Sequence, residues 1–238
     1  MARTVTVATA DGEMGLYDAE PASSPRGAVV VLQEAFGVND HIEDVTRRFA
    51  GDGYRAVAPH LFHRSGDPEL AYGNFEKIMP HMQALTEAGL LTDLDASLGY
   101  LADVGFAAGQ VGVVGFCMGG SVTFLAAVRR ALGAAVTFYG GGVAEGRFGM
   151  PSLLEMAPSL QTPWLGLFGD EDQGIPVDQV EALRRAAATA AVPSEIVRYP
   201  GAGHGFHCDA RPDSYHRASA EDGWSRTLDW FERYLGAR

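Results

Sequence analysis

Short runs of consecutive apolar residues alternate along this chain with stretches whose apolar positions recur every three or four residues. Ala28–Leu32 reads Ala-Val-Val-Val-Leu, with no polar residue at either parity. A strand buried on both faces has this pattern, whereas a strand wet on one face alternates. Residues 54–58, Val111–Phe116, Ala134–Phe138, 164–168 and 196–199 read as further strands, and the N-terminal residues alternate in strand fashion. Residues 41–52, 118–132, 176–191 and 214–235 read as helices. Asn39 and Asp40 offer the first of these an N-cap, and Pro176 suits the start of the third. A longer helical region, 69–105, is expected to break near Pro80 and again near Gly89, and 140–161 is the longest irregular piece. Strand followed by helix, repeated, predicts an α/β fold with a mostly parallel central sheet and helices on both faces. No internal repeat or linker composition divides the chain, so residues 1–238 are read as one domain. Ligands of such sheets sit beyond the carboxyl ends of the strands.

Composition narrows the function classes. Lys and Arg number 18 against 30 Asp and Glu, a formal charge of −12. That leaves no basic excess to neutralise phosphates, which argues against nucleic acid or an anionic membrane as partner. No apolar run approaches the roughly 20 residues needed to cross a bilayer, and the N-terminal residues do not read as a secretion signal. Cys117 and Cys208 do not make a disulfide framework. The expectation is a cytoplasmic protein, monomer or homodimer, with a small-molecule ligand.

Directly after the strand Val111–Phe116 stands Gly115-Phe116-Cys117-Met118-Gly119. Gly-x-nucleophile-x-Gly is the pattern of a sharp strand-to-helix turn that projects its middle side chain outward and leaves no room for Cβ two residues to either side. Cys117 would then sit at a helix N-terminus, which favours a thiolate, and the Met118 amide would be an oxyanion donor. The plainer alternative is a small buried hydrophobe among glycines that permit close packing. Two later loops weigh against it. Asp170-Glu171-Asp172 follows the strand 164–168, and Gly203-His204-Gly205-Phe206 follows the strand 196–199. Nucleophile, acid and base thus fall in the chain order that an α/β-hydrolase sheet requires. Asp170 competes with Asp172 for the acid; Asp172 has the longer loop reach that a His partner needs. Glu34, just beyond Leu32, would point into the same cleft as Cys117 and accept or hold the thiol proton. The Ala35 amide would be the second oxyanion donor.

The set Gln33-Glu34-Ala35-Phe36-Gly37-Val38-Asn39, the Cys117 elbow, Asp172 and Gly203-His204-Gly205-Phe206 closely resembles the dienelactone hydrolase family (carboxymethylenebutenolidases). The resemblance implies a single-domain α/β-hydrolase fold, a Cys117-His204-Asp172 triad with Glu34 controlling the resting thiol, no cofactor and no metal, and hydrolysis of an enol ester or lactone through a Cys117 thioester. It also implies that Tyr72, Phe75 and Tyr139 line an aromatic substrate pocket. Two family arginines that bind a substrate carboxylate fall at Pro68 and Cys208 here, with Arg64 and Arg211 as nearby replacements. The alternatives are a broad-range carboxylesterase or thioesterase with the same triad and, outside that class, a thiol redox or adventitious metal site built from Cys117, Cys208, His204 and His207.

Overall fold

The structure is a computed structural model that describes residues 1–236; the side chain of Phe75 lies outside the described set. Eight strands form one sheet in the order β1-β2-β4-β3-β5-β6-β7-β8. They are β1 Ala2–Thr9, β2 Gly12–Ala19, β3 Ala28–Leu32, β4 Arg55–Pro59, β5 Val111–Phe116, β6 Ala134–Phe138, β7 Trp164–Gly169 and β8 Ser194–Tyr199. From β4 to β8 every neighbouring pair is parallel, and β1 and β2 join antiparallel at one edge. β3, β5 and β6 are buried at every position, which explains their uninterrupted apolar runs.

Among the described residues seven α-helices connect and cover the strands: α1 Asp40–Gly51, α2 Phe75–Gln83, α3 Glu87–Asp103, α4 Met118–Arg129, α5 Leu153–Met156, α6 Val177–Ala187 and α7 Arg217–Tyr234. They lie on both faces. Gly112 and Gly115 are three apart on β5 and so face opposite ways. A Cβ on Gly112 would meet the Phe231 ring of α7, and one on Gly115 would meet Gly119 and Thr123 of α4. On the first face α1 packs against α7, with the Phe49 ring 4.3 Å from Trp224.

Two expectations need correcting. The 69–105 region breaks at residues 84–86, and neither Pro80 nor Gly89 interrupts it. Pro80 sits inside α2 on its solvent side, where water can take the carbonyl that proline leaves unbonded. Gly89 stands in the first turn of α3, where its N–H donates to the Thr86 cap and its missing Cβ leaves room for the Arg64 guanidinium. The irregular 140–161 segment also contains α5 and a 3-10 turn at Ala157–Ser159.

Register sets the functional edge. Leu32 is paired with Gly115 and Phe116 with Phe138. Glu34, Cys117 and Tyr139 therefore leave the sheet side by side at its carboxyl end.

Candidate active site

Cys117 occupies the turn between β5 and α4 with φ 55° and ψ −113°, a conformation strained for any residue but glycine. Its backbone N–H donates to the Phe138 carbonyl. The flanking glycines are obligatory by contact. A Cβ on Gly115 would lie 2.0 Å from the Gly119 carbonyl oxygen, and one on Gly119 would lie 2.2 Å from that of Leu32. Both obstacles are backbone and cannot yield. The Cys117 side chain is partly exposed, as the elbow pattern predicts.

His204 lies in the loop after β8. Its Nδ1 is 2.6 Å from Asp172 Oδ2, and Asp172 is buried in the turn after β7. The second Asp172 oxygen accepts the Gly174 N–H. Asp170 is committed elsewhere, to a two-bond pair with Arg198 at 2.7 and 2.9 Å. Burial alone would depress the His204 pKa. The negative Cys117 sulfur and the Asp172 hydrogen bond outweigh it, and the pKa is raised to about 10. The amides of Ala35 and Met118 flank the elbow, and among the described residues neither donates to a backbone carbonyl. Gln33 pins the Ala35 loop: its Oε1 accepts the Leu61 N–H.

Glu34 is buried, and its hydrogen bonds come from Arg211 and Tyr139. Its Oε1 accepts from Arg211 Nη2 at 2.9 Å and from the Tyr139 hydroxyl at 3.5 Å, while Oε2 has no partner. Tyr139 leaves β6 with φ 38°. It is buried, its ring stands edge-on to His204 with centroids 5.1 Å apart, and its hydroxyl is held protonated by burial first and by the charges of Glu34, Cys208 and Cys117 next. Tyr72 packs edge-on against Phe36 at 4.6 Å, with its hydroxyl 3.8 Å from Cys208 Sγ and accepting from Asn39. Phe75, expected beside it, has its side chain outside the described set. Of the two replacement arginines, Arg64 is tied to Asp11 and Asp93. Arg211 lies at the site, its guanidinium carbon 5.4 Å from the Phe36 ring centroid and 5.3 Å from that of Tyr72. Pro68 is also close by, its carbonyl packed on Gly37.

His41 was not singled out from the sequence. It lies buried in the first turn of α1, with Nδ1 3.3 Å from Asp209 Oδ1. Its signal was helical spacing: residues 41, 42, 45, 46 and 49 are the buried stripe of α1, so a histidine stands at a core position.

A nucleophile elbow, an acid and a histidine beyond the carboxyl ends of the parallel strands β5, β7 and β8 define an α/β hydrolase. The chain belongs to the dienelactone hydrolase family, whose sequence pattern it matches over residues 14–235. It is a carboxylic ester hydrolase by class. The Escherichia coli K12 protein named "Putative carboxymethylenebutenolidase" is 40% identical over 230 residues, covering 94% of this chain and 84% of that one. A protein of the same name from Synechocystis is 35% identical, covering 97% and 96%. The solved structure titled "Putative Dienelactone Hydrolase" from Klebsiella pneumoniae superposes with a TM-score of 0.91 at 39% identity, covering 98% of this chain and 99% of that one. Among the described residues no helix is long and apolar enough to cross a membrane.

Proposed function

We propose that this hydrolase cleaves a small enol ester or lactone through a thioester on Cys117. The observation that carries the reading is His204, whose Nδ1 lies 2.6 Å from the Asp172 carboxylate and whose ring also bonds to Cys117. The carbonyl oxygen sits between the Ala35 and Met118 amides, and substrate binding displaces Glu34. The sulfur attacks the carbonyl carbon. The C–O bond to the leaving group breaks as the His204 imidazolium gives that oxygen its proton, and a thioester remains. Losing one oxyanion donor typically costs about 100-fold to 1000-fold.

The raised His204 pKa accounts for the second half. Acylation removes the negative sulfur, the strongest influence holding the ring charged. The imidazole is then free to be neutral and to take a proton from water. Water attacks the thioester, the C–S bond breaks, and the acid leaves with the thiolate restored. A thiolate is a good leaving group itself, so acylation is productive only when the departing oxygen is a better one. Enol esters and activated lactones meet that condition.

Arg211 favours a substrate carrying a carboxylate, because its guanidinium, already paired with Glu34, is the cation at the mouth. The test is single-turnover hydrolysis of enol lactones with and without a carboxylate, followed by intact mass. We expect an acyl adduct that disappears in Cys117→Ala, together with a loss of at least about 10,000-fold in turnover. Full esterase activity in Cys117→Ala would overturn the reading.

A further inference from the structure

Beside the catalytic residues lies a group of ligating atoms of which the hydrolytic steps use Glu34 alone. Glu34, His41 and Cys208 are all buried, and each offers one ligand atom within 4.8 Å of the other two. They come from separate segments: the loop after β3, the first turn of α1 and the loop that carries His204. Two of the three have an atom without any hydrogen-bond partner, Glu34 Oε2 and His41 Nε2. Buried polar atoms are rarely left so.

Asp209 Oδ1 lies 3.3 Å from His41 Nδ1, and His41 Nε2 has no hydrogen-bond partner. Glu34 Oε2 is left unbonded because Arg211 and Tyr139 both bond to Oε1. The Cys208 sulfur is contacted by the Tyr72 hydroxyl at 3.8 Å and by Arg211. A carboxylate behind the far nitrogen of a histidine is also the outer arrangement that orients metal-bound imidazoles.

We propose that Glu34, His41 and Cys208 form a reversible binding site for one zinc-class divalent ion. Thiolate sulfur, imidazole nitrogen and carboxylate oxygen are the donor set of such ions and not of magnesium or calcium. On binding, the Cys208 S–H bond breaks, its proton goes to solvent and the sulfur lone pair forms the bond to the ion. Arg211, paired with Glu34, opposes a cation and keeps the ion exchangeable. Because Glu34 also borders the nucleophile, loading holds it in place and slows ester turnover; this consequence alone rests on the proposed reaction.

The experiment reads binding without reading activity. Full-length protein stripped with a chelator is titrated with Zn2+ and, separately, with Co2+, whose bond to a thiolate gives a near-ultraviolet charge-transfer band. Bound metal is counted after desalting. We expect one ion per chain in the unaltered protein and in Cys117→Ala, whose only thiol is Cys208, with the cobalt–thiolate band present in both. Cys208→Ser should abolish the band. His41→Gln should weaken binding at least tenfold, and Asp209→Asn, outside the ligand set, should weaken it less, so a folding failure of one variant leaves the others to decide. No stoichiometric ion, an ion lost in Cys117→Ala but kept in Cys208→Ser, or an ion retained by every variant would each overturn the site. Ester turnover by the ion-free protein is measured separately, so a failed metal site and a failed hydrolase reading give different results.

Discussion

Among the described residues, two fully buried carboxylates at the carboxyl end of this sheet are paired with arginine, and the two pairs are finished differently. Asp93 of α3 is fully buried and fully bonded. Arg64 reaches its two oxygens through Nη1 and Nη2, each at 2.8 Å, and His63 Nε2 adds a third contact at 3.0 Å. The same guanidinium clamps Asp11 in the β1–β2 turn, tying the edge hairpin to α3. Glu34 is as deeply buried, yet Arg211 reaches only one of its oxygens. Glu34 Oε2 and Arg211 Nε are left without partners. A satisfied buried network rigidifies a fold, whereas an unsatisfied one is costly to keep. The first pair is architecture. The second stands beside Cys117 and His204, where unspent hydrogen-bonding capacity is what a reacting or binding site needs.

The sharpest way to break that contrast is to remove each cation. Arg64→Met strands a buried carboxylate and should cost about 3–5 kcal/mol of folding stability, read by urea unfolding, with turnover per folded molecule unchanged. Arg211→Met should instead change substrate choice, losing about tenfold or more of kcat/KM for carboxylate-bearing esters relative to neutral ones. Equal effects on stability and no effect on selectivity would mean that the two pairs do the same job.

Gly205→Ala probes the open pair without touching its charges. The new Cβ would fall 2.3 Å from Arg211 Nη2, at a position whose φ is +80°. We expect a cost of about 1–3 kcal/mol, and displacement of the guanidinium from Glu34. The selectivity change of Arg211→Met should be reproduced in kind. A variant with unaltered selectivity would show that the position of Arg211 does not matter to substrate choice.

The histidine supplies a smaller test, in pH rather than rate. His204 has a folded pKa raised to about 10. The stabilisation from its charged form is therefore complete below its ordinary value near 6.5 and is lost as pH rises through about 10. The acylation rate should fall on the same alkaline limb. Asp172→Asn removes an influence that raises the pKa, so its limb must move to lower pH. Arg64→Met, remote from the ring, should leave the limb where it is. A limb unmoved by Asp172→Asn would detach the acid from the base.

Much of this was legible before any coordinates. The parallel strands are buried on both faces, so they read as unbroken apolar runs, and chemistry had to lie just past their ends. Cys117, Asp172 and His204 are the residues that rule points to, and the structure brings Asp172 to His204 while Arg198 occupies Asp170. What stayed illegible depends on partners distant in sequence. Pro80 and Gly89 read as breaks because their local cost is visible and the solvent or guanidinium that absorbs it is not. Glu34 was placed at the right edge, but its turn toward Arg211, 177 residues away, has no local signature. His41 has a helical phase that marks it as buried, and nothing in the phase says what it faces.

The mildest perturbation acts at the hinge between architecture and site. Asn39 caps α1, its Oδ1 accepting the Ile42 N–H, while its Nδ2 donates to the Tyr72 hydroxyl. The first bond belongs to the scaffold and the second to the open cluster, since Tyr72 touches both Cys208 and Arg211. Asn39→Asp keeps the cap acceptor and adds charge that suits a helix N-terminus, but it removes the donor to Tyr72. Asn39→Ala removes both. Stability should fall by about 1 kcal/mol in Asn39→Ala and stay nearly level in Asn39→Asp. Any small change in KM should appear in both variants alike, because both free Tyr72. A KM change confined to Asn39→Ala would mean that the helix start, and not the Tyr72 tether, is what the mouth depends on.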